Sequence, residues 1–148
     1  MKKIFIMAGG AVDHALERMS QQGFRLTRPR RAVVRALLEA GDWLRPEDVR
    51  IRARKHCRSV GLVTVYRTLT LLEQLGIAQR VHVEPGCHGY AAASLSHGHH
   101  LVCRSCHQVI EFPGSEDLAP FIKRVARQTG FQVEDHLLEL TGLCASCR

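Results

Sequence analysis

The sequence predicts an α+β fold in two domains, residues 1–94 and 95–148, and three observations indicate it. Helical patterns followed by two short strand patterns fill the first part, whereas strand patterns around one helix fill the second. Lysine and arginine outnumber acids by 16 to 8 in residues 1–96, whereas the numbers are 5 and 6 in residues 97–148. Two Cys-x-x-Cys pairs occur, and both are in the second part.

Apolar residues at helical spacing predict three helices in the first third of the chain. The first covers residues 11–22. The second follows Thr27, whose hydroxyl can cap a helix, and has Pro29 in its first turn. The third begins at Pro46 and runs to about His56, with a weaker pattern and many arginines.

The clearest helix lies in residues 59–76, SVGLVTVYRTLTLLEQLG. Its apolar face consists of Leu62, Val65, Leu69 and Leu72. The opposite face has no acid before Glu73 and consists of Val63, Arg67, Thr70 and Gln74, with Tyr66 beside it. Because phosphate repels carboxylates, such a face suits the major groove of DNA. Residues 77–93 then predict a β-hairpin around a Pro-Gly turn, which completes a winged helix-turn-helix.

The second domain is expected to be a small α/β unit. Residues 101–112 alternate as strand, turn and strand around the first cysteine pair. A helix follows from about Asp117, its expected N-cap, to Gln128, with Pro120 in the first turn and a glycine after its end. A last strand is expected over Phe131–Leu143, before the second cysteine pair.

Two cysteine pairs are the strongest chemical signal: Cys103 with Cys106, and Cys144 with Cys147. Each pair can offer two sulfurs to one ion at about 2.3 Å, which completes a tetrahedral zinc site. Four thiolates leave no open position, so this zinc is expected to be structural, one per chain. A domain of roughly fifty residues needs such a stabilising link. Redox dithiols and simple buried cysteines are the alternatives.

Several histidines near the start of the second domain indicate a second metal site. His97 and His99 alternate onto one face of an extended segment, with His100 on the other, and His136 lies on the expected last strand. Imidazoles suit zinc, ferrous iron or nickel. Cys87, His88 and His82 in the hairpin are either further ligands or turn residues without a metal role. Cys57 and His56 are not expected to be ligands, and His107 is expected to support the cysteine site by hydrogen bonding.

These residues resemble the ferric uptake regulator (Fur) superfamily of bacterial metal-sensing repressors. The resemblance covers almost the whole chain and rests on RLTRPR, TVYRTL, HGHHLVCRSC, VIEF and GLCASC. It implies a homodimer formed by the C-terminal domain, whose winged helices bind operator DNA when a sensory site holds metal. It also implies that Thr64, Tyr66 and Arg67 meet DNA, with Arg25 and Arg30 near the backbone or minor groove.

The family's metal sites fit this sequence unequally. Its four-cysteine site falls on the two Cys-x-x-Cys pairs without a departure. Its dimerisation-domain site falls on His97, His99, Ala119 and His136. The family usually has acids in place of His99 and Ala119, and Glu116 or Asp117 could substitute.

The family's interdomain iron-sensing site matches less well. Trp43, Ala91 and Gly98 stand at three of its ligand positions, and only His100 remains. The resemblance therefore favours the zinc-sensing branch, with Cys87 as a displaced wing ligand. An ion held by His97, His100 and such a ligand is expected to fix one domain on the other.

The resulting expectation is a repressor of metal-uptake genes, with zinc favoured over ferrous iron as the regulatory metal and corepressor. Its partners are double-stranded operator DNA and a second copy of the chain. The alternatives are an iron- or peroxide-sensing member of the same family, a zinc-dependent hydrolase, and a zinc-ribbon adaptor. A catalytic site is not expected, because no H-E-x-x-H pattern is present.

The same sequence carries no membrane or export signal that we can identify. No apolar run approaches the roughly 18 residues of a membrane span. The apolar run Ile4–Ala8 is shorter than the roughly 7 residues that a signal peptide needs. A cytoplasmic protein without a membrane partner is therefore expected.

Overall fold

The computed structural model describes residues 8–84, 87–93, 98–113, 118–134, 136 and 138–148, with the backbone alone at 8, 9, 83, 84, 87, 98 and 113. The chain divides into two compact units, residues 1–93 and 94–148. The N-terminal unit contains α1 (Ala8–Gln21), α2 (Arg28–Leu38), α3 (Pro46–Ala53), α4 (Leu62–Gln74), β1 (Ala78–Glu84) and β2 (Cys87–Ala92). The C-terminal unit contains β3 (Gly98–Cys103), β4 (Val109–Pro113), α5 (Ala119–Thr129) and β5 (Glu139–Gly142).

The start of α2 confirms the capping prediction. Thr27 has extended backbone angles, and its Oγ1 accepts a hydrogen bond from the backbone N–H of Arg30 at 3.4 Å. Pro29 lies in the first turn, where no backbone N–H is needed. The predicted end of α3 at His56 is wrong, because α3 ends at Ala53 and a turn follows. In this turn the backbone N–H of His56 reaches only to the carbonyl of Ala53, a tightened i to i−3 bond that ends the α-helical pattern.

One apolar core holds the N-terminal unit together. Val65, Leu69 and Leu72 on α4 are fully buried, which confirms the predicted inner face. The core cluster extends from Val12 on α1 to Tyr90 on β2. It fixes α4 against α2 and α3, so the opposite face of α4 remains at the surface.

The predicted hairpin is confirmed as the antiparallel pair β1 and β2. Its turn residues Pro85 and Gly86 lie outside the described residues. Leu44 forms an isolated antiparallel bridge to Tyr90, which joins the hairpin to the connection between α2 and α3. The Trp43 ring lies so close to Gly89 that a Cβ at this position would overlap it. The helices and this hairpin together form a winged helix-turn-helix.

A three-stranded sheet in the order β4-β3-β5 forms the C-terminal unit. Strand β4 is antiparallel to β3, and β5 is parallel to it. The prediction of a strand over Phe131–Leu143 is too long, because within the described part of this range only Glu139–Gly142 is a strand. An extended segment becomes a strand only where it has a partner, and β3 pairs with β5 only from His100 to Cys103. His136 therefore precedes the strand.

Helix α5 begins after Leu118, whose side chain makes no capping bond, so the prediction of Asp117 as the N-cap is wrong. Asp117 itself lies outside the described residues. Pro120 lies in the first turn as predicted, and Gly130 ends the helix with a φ of 74°. A left-handed glycine after the last turn is a common helix stop. No residue of α5 is buried within the single chain.

Candidate functional site

Four cysteines converge at one end of the C-terminal sheet. Cys103 ends β3, Cys106 follows it in a turn, and Cys144 and Cys147 lie after β5. Their sulfur atoms all lie within 4.8 Å of one another. The parallel pairing of β3 with β5 brings the two pairs together, since Cys103 is in register with Gly142.

This cluster fits a tetrahedral zinc ion. At a zinc–sulfur distance of about 2.3 Å, neighbouring sulfurs are about 3.8 Å apart. The Sγ atoms of Cys106 and Cys144 are 3.7 Å apart. Zinc bound there would crosslink the turn after β3 to the C-terminal segment, and four thiolates would leave no position for a substrate.

The backbone around the cluster favours the ionised form of one of the four sulfurs, that of Cys103. Backbone N–H groups of Cys106, Cys144 and Ser105 donate to the sulfur of Cys103 and lower the pKa of its thiol to about 6. The bond from the Cys144 N–H is 3.4 Å long. Because thiolates are the form that binds zinc, these amides prepare Cys103 for the metal.

His99 and His136 approach each other on one side of the sheet. Their ring centroids are 5.6 Å apart, and His99 is only 2% exposed. Phe112, in register with His99, packs against the same ring with a centroid separation of 5.5 Å. The structure therefore brings together two of the predicted regulatory residues, while His97 lies outside the described residues.

His100 lies on the opposite face of the sheet, with an acid on each neighbouring strand. It is in register with Glu111 on β4 and with Glu139 on β5. Burial lowers the pKa of His100, while the two carboxylates oppose this shift. A neutral imidazole with two flanking carboxylates is a suitable ligand set for a divalent cation.

Sequence reasoning missed Glu111 and Glu139 as neighbours of His100. Glu111 belongs to the VIEF motif, but only the strand register shows that it lies opposite His100. Cys87 is on β2, and its side chain lies outside the described part of the chain. Ala119 opens α5 and has no ligand atom in its side chain.

The exposed face of α4 carries the predicted DNA-contacting residues. Tyr66 is 44% exposed, Arg67 is exposed, and Thr64 is half-buried in the first turn. The hydroxyl of Tyr66 donates to the carboxylate of Glu47 on α3 at 3.5 Å. Sequence reasoning did not identify Glu47 as part of this surface, because α3 approaches α4 only in the folded unit.

Arginines extend this surface beyond α4. The guanidinium of Arg30 donates to the backbone carbonyl of Arg25 at 2.5 Å, which holds the turn before α2. A cleft of about 530 Å³ lies between α1, α2 and the segment before α4. Its cationic lining residues are Arg28, Arg31, Arg35 and Arg58, against Asp13 as the acid. Such a concentration of guanidinium groups suits a polyanion.

The fold and these sites define a winged-helix protein with a basic reading surface and a four-thiol metal cluster. The model of the ferric uptake regulator family matches residues 21–141, and the chain belongs to this family. The chain is 35% identical to a zinc uptake regulation protein of Mycobacterium tuberculosis over 130 residues, 88% of this chain and 99% of that protein. It is 34% identical to a ferric uptake regulation protein of Bacillus subtilis over 142 residues, 92% and 93% of the two chains.

A solved zinc uptake regulator complexed with zinc and DNA has the same fold. Its TM-score is 0.74 at 23% identity, over 95% of this chain and 94% of that one. The predicted family and fold class are confirmed. Members of this family are DNA-binding transcriptional regulators and not enzymes, so the hydrolase alternative is wrong. No helix in the described ranges is long and apolar enough to cross a membrane.

Proposed function

We propose that this protein is a metal-responsive repressor of metal-uptake genes, with zinc as its corepressor. The observation that carries this proposal is a four-thiol cluster and a separate histidine-rich sheet in a chain whose basic N-terminal unit presents a recognition helix with Tyr66 and Arg67 exposed. Zinc at Cys103, Cys106, Cys144 and Cys147 maintains the C-terminal unit. A second divalent ion, bound by residues of the predicted set His97, His99, His100, His136 and Cys87, reports metal supply.

Two observations support zinc over iron. The relative in Mycobacterium tuberculosis is named a zinc uptake regulation protein. By the family resemblance, Trp43 stands where iron-sensing members have a histidine, and its ring packs on Gly89 in the hairpin, where it has no ligand atom to offer. Ferrous iron is the second candidate, because the relative in Bacillus subtilis is named a ferric uptake regulation protein.

The exposed apolar surface of the C-terminal unit supports a homodimer. Leu101, Ile110 and Leu140 form a row across the three strands, and each is at least 39% exposed in the single chain. Phe121 on α5 is 55% exposed. Apolar area of this kind is normally covered by a partner. A dimer carries two winged helices to operator DNA, and we place it in the cytoplasm, where a bacterial regulator meets its operator.

Operator binding with defined metals tests this function. The protein, with zinc already bound at its cysteine site, is titrated onto DNA from the promoter of a metal-uptake gene. The titration is repeated at several buffered concentrations of free Zn²⁺ and, in the absence of oxygen, of free Fe²⁺. We expect affinity to rise steeply with Zn²⁺. Arg67→Ala should weaken the metal-bound complex by about 1–3 kcal/mol, the range for one good base contact.

The matched control is Arg127→Ala, which removes the same charge from exposed α5. It should leave operator affinity unchanged at constant dimer concentration. Equal affinity with and without the second metal ion would contradict the proposal. A response to Fe²⁺ but not Zn²⁺ would assign the sensor to iron.

A further inference from the structure

The hairpin of the N-terminal unit carries two histidines whose geometry the proposed function does not use. His82 on β1 and His88 on β2 are directly opposite each other in the strand register. Their ring centroids are 5.1 Å apart, and the ring planes are nearly perpendicular, at 88°. Both side chains are exposed, so an ion from solution can reach them.

This separation is the one expected for two imidazoles bound to one ion. A metal–nitrogen distance of about 2.0–2.1 Å and a tetrahedral angle place the two ring centroids about 5 Å apart. A cross-strand pair also has little freedom to lose, because the strand register already holds both Cβ atoms near each other. Neutral imidazoles are preferred ligands of zinc, copper and nickel.

Arg80, a charged neighbour of the pair on the same strand, does not oppose a cation strongly. Arg80 is two residues before His82, and its guanidinium forms an ion pair with Glu73 at 3.0 Å. The same guanidinium lies over the ring of Tyr90, 5.6 Å from its centroid. Its charge is therefore largely balanced before a metal ion arrives.

We propose that His82 and His88 form a metal site on the wing hairpin for a first-row divalent ion such as Zn²⁺, Ni²⁺ or Cu²⁺. The two imidazoles occupy two positions of the ion, and water completes the shell. This site uses residues other than the four cysteines and the histidines of the C-terminal sheet. It would add two positive charges to the wing of a basic unit.

Trp43 provides a local reporter for this site. It is the one tryptophan of the chain, and its ring packs on Gly89, the residue after His88. Paramagnetic Ni²⁺ quenches tryptophan emission at short range. Ni²⁺ is therefore titrated into the full, zinc-loaded chain, and Trp43 emission is followed. We expect saturable quenching in the parent protein.

His82→Gln and His88→Gln should each raise the Ni²⁺ concentration at half-quenching about tenfold or more, since removal of even a supporting partner of a ligand costs this much. His56→Gln, an exposed histidine of the same unit, is the matched control and should change nothing. His99→Gln reports any contribution from the C-terminal sheet and should also leave the quenching curve unchanged. Circular dichroism checks that each variant is folded.

Quenching that survives both hairpin substitutions would overturn the proposal and leave an edge-to-face ring contact only. So would quenching that disappears in His99→Gln, since the ion would then act from the C-terminal unit. Neither result depends on operator binding. The hairpin site can therefore fail while the repressor function stands, and the reverse also holds.

Discussion

Between residues 12 and 90, 20 buried residues form one apolar cluster, whereas the described part of the C-terminal unit buries two hydrophobic side chains, Val102 and Cys103. Helices α2 and α4 each contribute five buried residues to the first unit, but α5 contributes none to the second. The N-terminal unit thus has the core of an independent domain. The C-terminal unit has too little buried apolar area to balance its chain entropy without other links.

The difference indicates how each unit is stabilised. Burial of apolar surface stabilises the N-terminal, DNA-binding unit, and this stabilisation does not depend on the metal supply. The C-terminal unit depends on bonds to zinc and on contact with a second chain, both of which vary with concentration. A protein that senses metal gains from this arrangement, because its metal-binding unit can respond while the DNA-binding unit keeps its shape.

The largest effect should follow removal of the structural zinc. Chelation, or Cys144→Ser, removes a bond network with an apparent free energy of about 10–16 kcal/mol in small zinc domains. We expect the amide NMR signals of residues 98–113 and 138–148 to lose their dispersion. The urea midpoint of the N-terminal unit, read from Trp43 emission, should remain unchanged.

Cys57→Ser is the control for that experiment, because Cys57 lies outside the cluster. Its spectrum should match the parent protein. Dispersed signals from the C-terminal unit after complete loss of zinc would show that its fold does not require the metal.

A core substitution should have a smaller effect, confined to the other unit. Leu69→Ala leaves a cavity in the N-terminal core and should lower its free energy of unfolding by about 2–5 kcal/mol. Leu140→Ala removes the same atoms from a side chain that is 46% exposed, and within one chain it should cost less than about 0.5 kcal/mol.

The same two variants, Leu69→Ala and Leu140→Ala, test the proposed apolar dimer surface. Leu140→Ala should raise the dimer dissociation constant in sedimentation experiments, whereas Leu69→Ala should not under conditions where it remains folded. If both variants lower the stability of their units equally, the contrast between the two units is wrong.

The smallest effect concerns protons released when zinc binds. At about pH 7.5 the folded C-terminal unit holds Cys103 largely ionised, because its pKa is lowered there to about 6, whereas an unfolded zinc-free unit lacks the amide bonds that lower it. Zinc loading at this pH should therefore release nearly four protons per chain if zinc removal unfolds the unit, and fewer if the unit stays folded. Below about pH 5 this thiol is protonated, and release should rise to four. Calorimetry in buffers of different ionisation enthalpy measures the number. Release of clearly fewer than four protons at pH 7.5 would contradict the expected unfolding of the zinc-free unit, because it would show that the amide bonds to Cys103 persist without zinc.

The sequence predicted most of the N-terminal unit because its signals are local. Thr27 caps α2 through a residue three positions away, and the leucines of α4 repeat at helical spacing. The cysteine pairs were equally clear, since the spacing within each pair is a local signal. Two predictions that failed were helix boundaries, at His56 and Asp117, where local preference does not determine the last hydrogen bond.

The sequence did not predict which strands pair or in what register. A strand was predicted over Phe131–Leu143, but the edge of β3 pairs with only four of these residues. The register also placed Glu111 and Glu139 beside His100, and His82 opposite His88. A change of one residue in register would separate each of these groups, because neighbouring residues of a strand point to opposite faces.

The sequence by itself determined the winged helix-turn-helix and the identity of the four thiols, because helix periodicity, capping residues and Cys-x-x-Cys spacing act over a few residues. Only the tertiary structure decided which histidines share a face, which carboxylates flank His100, and how the arginine cleft forms between α1, α2 and the segment before α4. The residues in each of these groups are distant along the chain. Packing and strand register bring them together, and no local sequence pattern encodes either one.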